Sequence, residues 1–480
     1  MLKQCLGVIV LCIVPLTGWL QARPGSGASV EKPNLIVMMA DDLGKEWVSC
    51  YGAEEIETPA IDRFAASGLR FQNAYAMPQC TPTRVTLLTG QYPFRHGWIN
   101  HWDVPRWGRG CHFDAAKNPS VARQLRAAGY ATGIVGKWQI NDFRLQPDAL
   151  VKHGFDEYCV WTGAEGGNPP STERYWNPYL HTKEGSKAYS DRFGPDVCAE
   201  FAFEFLKEHK DGPFFLYWPM ILPHGPFTTT PAEPDVRRPL DRHAAMIRHV
   251  DSLVGRLEAK LEELGLAEKT IVIWTTDNGS PRNIRGKRDG RTVRGGKSET
   301  TEPGICVPFL VKGPGVPKGA VTEALTDFSD LLPTLCDLAG AELPKDTVLD
   351  GRSIAKVIRG EEELGPREWI LAMGGGSATF VTEPEVRVHN RTTYRDRVLR
   401  DQRFKLTLDT EGNPASLVDL KNDPAEETNL LGKDDPEAKA ALQKLLAVAA
   451  TFPKEDAHPR YDPLPPQPWD RKFPPADRDD

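Results

Sequence analysis

Hydrophobic and polar positions along this 480-residue chain follow two rhythms, short unbroken apolar runs and longer stretches with an apolar residue every three or four positions. Asn34–Ala40 (NLIVMMA), Thr270–Thr276 (TIVIWTT) and 213–218 (PFFLYW) belong to the first kind. Runs of this length rich in Val, Ile and aromatic residues predict strands buried on both faces. The second rhythm predicts helices at 58–68, opened by Thr58-Pro59 and closed by Gly68, and at 119–128, 195–209 and 240–264. A further helical stretch at 328–339 would close the large domain. Strands alternating with helices imply an α/β fold, a large and mostly parallel sheet covered by helices on both faces. From about Trp369 the pattern changes to short strands at 369–373, 397–400, 404–408 and 416–419, followed by a helix capped by Asp435-Pro436. Residues 453–480, with eight prolines and many charges, read as an extended tail rather than packed structure. The chain divides accordingly into 33–365, 366–452 and 453–480.

Residues 1–22 stand apart. Lys3, the apolar stretch 6–20 and Gln21-Ala22 fit a secretory signal peptide, too short for a preferred membrane anchor. No later run approaches a bilayer's length, so a periplasmic or secreted protein that is not membrane-embedded is expected. Losing Lys3 moves the formal net charge from −7 to −8. An acidic chain without an extended basic face is a poor nucleic-acid binder.

Two of the predicted strands end in acids, Asp41-Asp42 and Asp277-Asn278. In an open α/β sheet ligands sit beyond the carboxyl ends of the strands, which brings both clusters into one crevice. Three carboxylates and an amide oxygen converging there call for a cation, and an all-oxygen set suits Ca²⁺ or Mg²⁺ better than Zn²⁺. Each acid alone could instead cap the following helix or turn. The segment 81–90 reads as a short helix with Pro82 in its first turn, Gly90 past its end and Cys80 at its mouth. Its N–H groups favour an anion, and Arg84 can reach back to it. By itself Cys80 could equally be a buried small apolar residue or a disulfide partner.

With Cys80-Thr81-Pro82-Thr83-Arg84 and the segments around it, the chain resembles the formylglycine-dependent sulfatases of the alkaline-phosphatase-like superfold. Thr89-Gly90, Tyr92-Pro93, His96-Gly97, Gly136-Lys137-Trp138, Pro223-His224-Gly225-Pro226, Asp277-Asn278-Gly279 and Gly295-Gly296-Lys297 follow in the family's order. The resemblance implies that Cys80 is oxidised to formylglycine by a maturation enzyme before folding is complete, and that the aldehyde hydrate is the nucleophile. It implies Asp41, Asp42, Asp277, Asn278 and modified residue 80 as ligands of Ca²⁺, with Mg²⁺ the alternative. Lys137, Lys297 and Arg84 would add positive charge, Arg84 chiefly by holding the hydrate. His224 would protonate the leaving alkoxide or polarise its oxygen. The family's small C-terminal subdomain, an antiparallel sheet with a packed helix, is expected from about 366.

The pattern departs from the family at Gln139, where a histidine usually follows Gly-Lys-Trp, and glutamine cannot act as a base. His101 or His112 could fill that place, Gln139 could orient the hydrate while another base works, or turnover could be impaired. After Lys297 the run Glu302-Pro303-Gly304-Ile305-Cys306-Val307-Pro308 lacks the family's arginine, which bears on a structural tether. Of nine cysteines, six remain after Cys5, Cys12 and Cys80 are set aside, and these could pair in any of fifteen ways. A sulfatase acting on a sulfated carbohydrate is the reading, with 98–112 and Arg282–Arg288 as cationic and aromatic stretches suited to anionic sugars. A phosphonate or phosphate ester hydrolase, or a weakened sulfatase-like glycan-binding protein, are the alternatives.

Overall fold

Ten strands share one sheet in the computed structural model, which describes residues 32–98, 112–374, 378–381, 387–390, 395–457, 460, 465 and 467–469. In chain order the first twelve strands are β1 (Asn34–Ala40), β2 (Leu69–Tyr75), β3 (Ala131–Lys137), β4 (Glu157–Trp161), β5 (Tyr179–Thr182), β6 (Gly185–Ala188), β7 (Phe214–Pro219), β8 (Thr270–Thr276), β9 (Arg285–Arg288), β10 (Arg291–Arg294), β11 (Phe309–Lys312) and β12 (Ala320–Asp327). The sheet runs β12-β2-β11-β8-β1-β7-β3-β4-β5-β6, while β9 and β10 make a separate hairpin. The central strands β8, β1, β7, β3 and β4 are parallel, and β11 runs against both of its neighbours.

The unbroken apolar character of β1 has a direct cause. Leu35, Val37 and Met39 face one core and Ile36, Met38 and Ala40 face the other, all without solvent exposure. A strand buried on both sides has no polar face to alternate with. Residues from the helices Pro59–Ala66, Gly194–Glu208 and Pro239–Glu263 fill one core, and those from Cys80–Thr89, Val121–Ala127 and Leu331–Ala339 fill the other.

Beyond these lies an antiparallel sheet, β13 (Ile370–Met373), β16 (Arg397–Arg400), β17 (Phe404–Leu408) and β18 (Pro414–Asp419), in the order β13-β16-β17-β18. Between β13 and β16 the backbone pairs β14 (Ala378–Val381) with β15 (Arg387–Asn390). The helix Pro436–Ala449 packs on this sheet through Ala438, Ala441 and Leu445, and Met77, Tyr92 and Phe94 join the same cluster. Asp435 caps that helix by accepting from the N–H groups of Glu437 and Ala438.

The described residues after Phe452 are attached to the body, which differs from the free tail that their prolines suggest. Ala457 N–H donates to Phe94 O at 2.9 Å, Arg397 donates to buried Asp456 at 2.8 Å, and Arg460 bonds the Gln91 side chain. Trp469 lies under the Arg144 guanidinium at 4.2 Å. Cys50, Cys80, Cys159, Cys198, Cys306 and Cys336 carry no disulfide, and Cys111 lies outside the described residues. No described helix is long and apolar enough to cross a membrane.

Candidate active site

The carboxyl ends of β1, β8, β3 and β7 meet in one place. Asp41-Asp42 follow β1, Asp277-Asn278 follow β8, Lys137 ends β3 and His224 lies in the loop after β7. Because β1 pairs in register with β8 from Asn34↔Thr270 to Ala40↔Thr276, the two acidic pairs emerge side by side. The Asp42 N–H donates to Asp277 Oδ1 at 3.0 Å across that seam. The helix Cys80–Thr89 points its first residue at the same spot, and Gly90 ends it with a left-handed φ of 66°. Gly136, at φ 119°, lies so close to β7 that a Cβ would run into Pro219 O, which is why the residue before Lys137 is glycine.

Each carboxylate has a cation. Arg84 donates to Asp277 Oδ2 through Nε at 3.0 Å and Nη2 at 2.7 Å, Lys137 Nζ donates to Asp41 Oδ2 at 2.8 Å, and Lys297 Nζ donates to Asp42 Oδ2 at 2.6 Å. Arg84 therefore reaches the acid cluster, with Asp41 Oδ2 also 3.5 Å away. Burial opposes ionisation of Asp41, but Lys137, Arg84 and Lys297 together hold it well below the usual carboxylate range. Lys297 does the same for Asp42 against its burial. Burial and the adjacent Asp41 push Asp277 up to about 7, despite Arg84. Burial also raises the Cys80 thiol, which is 3% exposed.

The donor set fits a hard divalent cation. Asp41 Oδ1 and Asn278 Oδ1 are buried and hydrogen-bond to nothing among the described residues, a costly arrangement unless a cation takes their lone pairs. Asn278 Nδ2 donates to Asp42 Oδ1 at 2.8 Å and Gly279 O at 2.9 Å, so the amide oxygen is its remaining acceptor. Ligand atoms of Asp41, Cys80 and Asp277 lie within 4.8 Å of one another, as do those of Asp41, Asp42 and His224.

His224 Nδ1 stands 2.6 Å from Gly225 O, which assigns the ring proton to Nδ1 and leaves Nε2 to accept from Lys297 Nζ at 3.3 Å. Burial and the Lys297 charge lower His224 to about 3, so the ring is neutral. Gln139 sits nearby with a left-handed φ of 64° and a buried, unpartnered Oε1. Of the two histidines considered as substitutes for it, His112 is fully buried beside Gln146 and away from the cleft, and His101 lies outside the described residues.

A cleft of about 470 Å³ opens over the cluster, lined by Cys80, Lys137, Gln139, His224 and Lys297 together with Trp161, Arg174 and Tyr175. Those last three were not singled out in the sequence. The basic stretch that was, Arg282–Arg288, does not line the cleft. Arg288 and the β9–β10 hairpin border a separate cavity of about 700 Å³ instead. Trp98 is buried against Phe113, and 99–111 lie outside the described residues.

The family model described as Sulfatase matches residues 33–341, and the one described as N-sulphoglucosamine sulphohydrolase, C-terminal, matches 297–450. Human arylsulfatase A is 31% identical over 88% of this chain and 89% of its own, and N-acetylgalactosamine-6-O-sulfatase of Bacteroides thetaiotaomicron is 29% identical over 92% and 97%. Among solved structures, Ps i-CgsB superposes with a TM-score of 0.73 at 24% identity, covering 90% of this chain and 95% of that one. The phosphonate monoester hydrolase of Agrobacterium radiobacter shares the fold, with a TM-score of 0.62 at 22% identity over 87% and 95%. With the alkaline-phosphatase-like sheet and two matching family models in place, the chain belongs to the sulfatase family and is a sulfuric ester hydrolase.

Proposed function

We propose that this enzyme releases sulfate from a sulfated carbohydrate, with residue 80 as a formylglycine nucleophile and Asp41, Asp42, Asp277, Asn278 and residue 80 holding Ca²⁺, or Mg²⁺ in its place. The observation that carries the reading is the pair of buried, unpartnered oxygens, Asp41 Oδ1 and Asn278 Oδ1, beside Cys80 at a helix mouth between two lysines. Bound there, the ion lowers the pKa of an oxygen nucleophile and neutralises sulfate oxygens. The hydrated aldehyde at position 80 supplies that oxygen.

The chain's own groups do the rest. Arg84 fixes the Asp277 carboxylate through Nε and Nη2 and opposes the rise in its pKa. Lys137 and Lys297, which line the cleft, offer positive charge to the sulfate oxygens. His224 is neutral with Nε2 accepting from Lys297 Nζ, so it orients that ammonium, and the proton given to the leaving alkoxide comes directly from Lys297 Nζ. An alkoxide is basic enough to take it even though Asp42 raises the lysine's pKa.

A carbohydrate substrate is supported by relatives named for N-acetylgalactosamine-6-sulfate. A fold neighbour was solved with D-glucosamine-2-N,6-O-disulfate, its substrate. The leader-like residues 1–22 favour a periplasmic or secreted enzyme matured by a formylglycine-generating partner. The test is the mass of the tryptic peptide 71–84 from protein made with that machinery. An aldehyde at position 80 is expected, and a persistent thiol in catalytically active protein would overturn the proposed nucleophile.

A further inference from the structure

We propose that Arg174 forms a subsite for a second oxyanion of the substrate, a carboxylate or another sulfate beside the scissile sulfate, so that the preferred substrate is polyanionic. This rests on the carbohydrate sulfatase reading and deepens it. The first ground is charge. Arg84, Lys137 and Lys297 match Asp277, Asp41 and Asp42 one for one, whereas Arg174, also lining the cleft, has no carboxylate within ion-pair distance among the described residues. Its neighbour Glu173 lies 3.2 Å from the Thr172 hydroxyl, which donates to it.

The second ground is the way the guanidinium is held. It lies over the Trp161 ring at 4.5 Å and beside Tyr175 at 5.5 Å, and Trp161 is fixed in turn by its Nε1–H donating to Ser171 O at 2.9 Å. One nitrogen, Nη2, bonds Gly225 O and stands 3.2 Å from His224 Nδ1. Stacking on indole gives the planar fork a set orientation at little entropic cost, which is what recognition of a pair of oxyanion oxygens requires. Position is the third ground. The His224 ring lies between Arg174, at its Nδ1 side, and Lys297, at its Nε2 side. The second anion therefore sits one imidazole width from the sulfate being removed, the separation offered by a neighbouring substituent or an adjoining residue of a sugar chain.

The test uses the Cys80→Ser variant, which binds without turning over, in calcium-containing buffer. Three probes are titrated by calorimetry: N-acetylglucosamine-6-sulfate as monoanion, D-glucosamine-2-N,6-O-disulfate, and a disaccharide joining a uronate to a 6-sulfated hexosamine. The dianions are expected to bind more tightly. Adding Arg174→Gln should erase about 10- to 100-fold of that preference, the range for a charge-assisted hydrogen bond, while Arg174→Lys keeps part of it. Which dianion wins identifies the oxyanion as sulfate or carboxylate. Equal affinity for all three probes, or an equal loss on all three in Arg174→Gln, overturns the subsite and leaves the carbohydrate reading standing. Binding of none removes that reading and the subsite with it. In the unsubstituted enzyme the kcat/KM ratio of dianion to monoanion should fall by the same factor with Arg174→Gln, a change that general damage to His224 would not produce.

Discussion

Gln139 holds a left-handed backbone conformation, a state that costs a non-glycine residue about 1–3 kcal/mol and persists where its surroundings over-determine it. Its buried Oε1 has no partner and faces the cleft beside Lys137 and Cys80. Such a side chain can orient a hydroxyl but cannot remove its proton. Gln139→Ala should therefore lower kcat by about 10- to 100-fold, the scale of one lost orienting hydrogen bond, without changing the shape of the pH–rate profile. An unchanged rate would exclude a direct role. At this scale the sequence marks the acids, the lysines and Cys80 because they stand at strand ends and helix mouths in recognisable strings. Arg174 escapes notice because it lies in a polar stretch, Thr-Glu-Arg-Tyr-Trp, with no periodicity, and its meaning comes from a stacking partner. Trp161 was within reach, since it closes β4 at the carboxyl ends of the strands, where Asp41 follows β1.

Elements that bury both faces are the legible ones, and β1, β7 and β8 stand where their apolar runs predict. Short or half-polar strands are harder. β2 reads LRFQNAY and β11 only FLVK, and neither differs from loop until both pair with each other. β9 and β10, RGKR and RTVR, read as a basic loop for the same reason. The proline-rich end is misleading in the opposite sense, because one of its acids, Asp456, helps to anchor it. Asp456 faces Arg397 at 2.8 Å and Arg395 at 3.9 Å, and all three side chains are fully buried. Burial lowers Arg395 to about 10 in spite of that acid. Asp456→Ala would remove a carboxylate from between two buried cations and should destabilise the fold by about 3–5 kcal/mol, read as a shifted midpoint in denaturant. An unshifted midpoint would mean that this segment contributes nothing to the folded body.

For the molecule as a whole, buried neutral histidines set the acid limit. His153 stacks on Phe113 at 4.6 Å, its Nε2–H donates to Phe113 O at 3.0 Å, and burial lowers it to about 3 from an ordinary value of 6.5. Between those values the unfolded chain binds a proton that the folded one refuses, so stability is full above 6.5 and falls as pH drops toward 3. At about pH 5 this one residue costs about 2 kcal/mol. His153→Gln keeps a donor for Phe113 O and should shrink the difference in Tm between neutral and mildly acidic buffer. An identical difference in the two proteins would assign the acid sensitivity elsewhere.

The burial of Cys80 has a consequence for production. A side chain with 3% of its surface exposed, at the mouth of a helix whose every residue is buried, offers no room for another enzyme's active site. Under the formylglycine maturation proposed above, oxidation of that thiol and folding of the chain are competing rates, and the first has only the interval before the second is complete. On that proposal, molecules that fold too soon would carry an intact thiol and could not be rescued without unfolding. Yield of active enzyme should then track the ratio of maturation capacity to synthesis rate, and slowing expression would raise specific activity without altering a single residue.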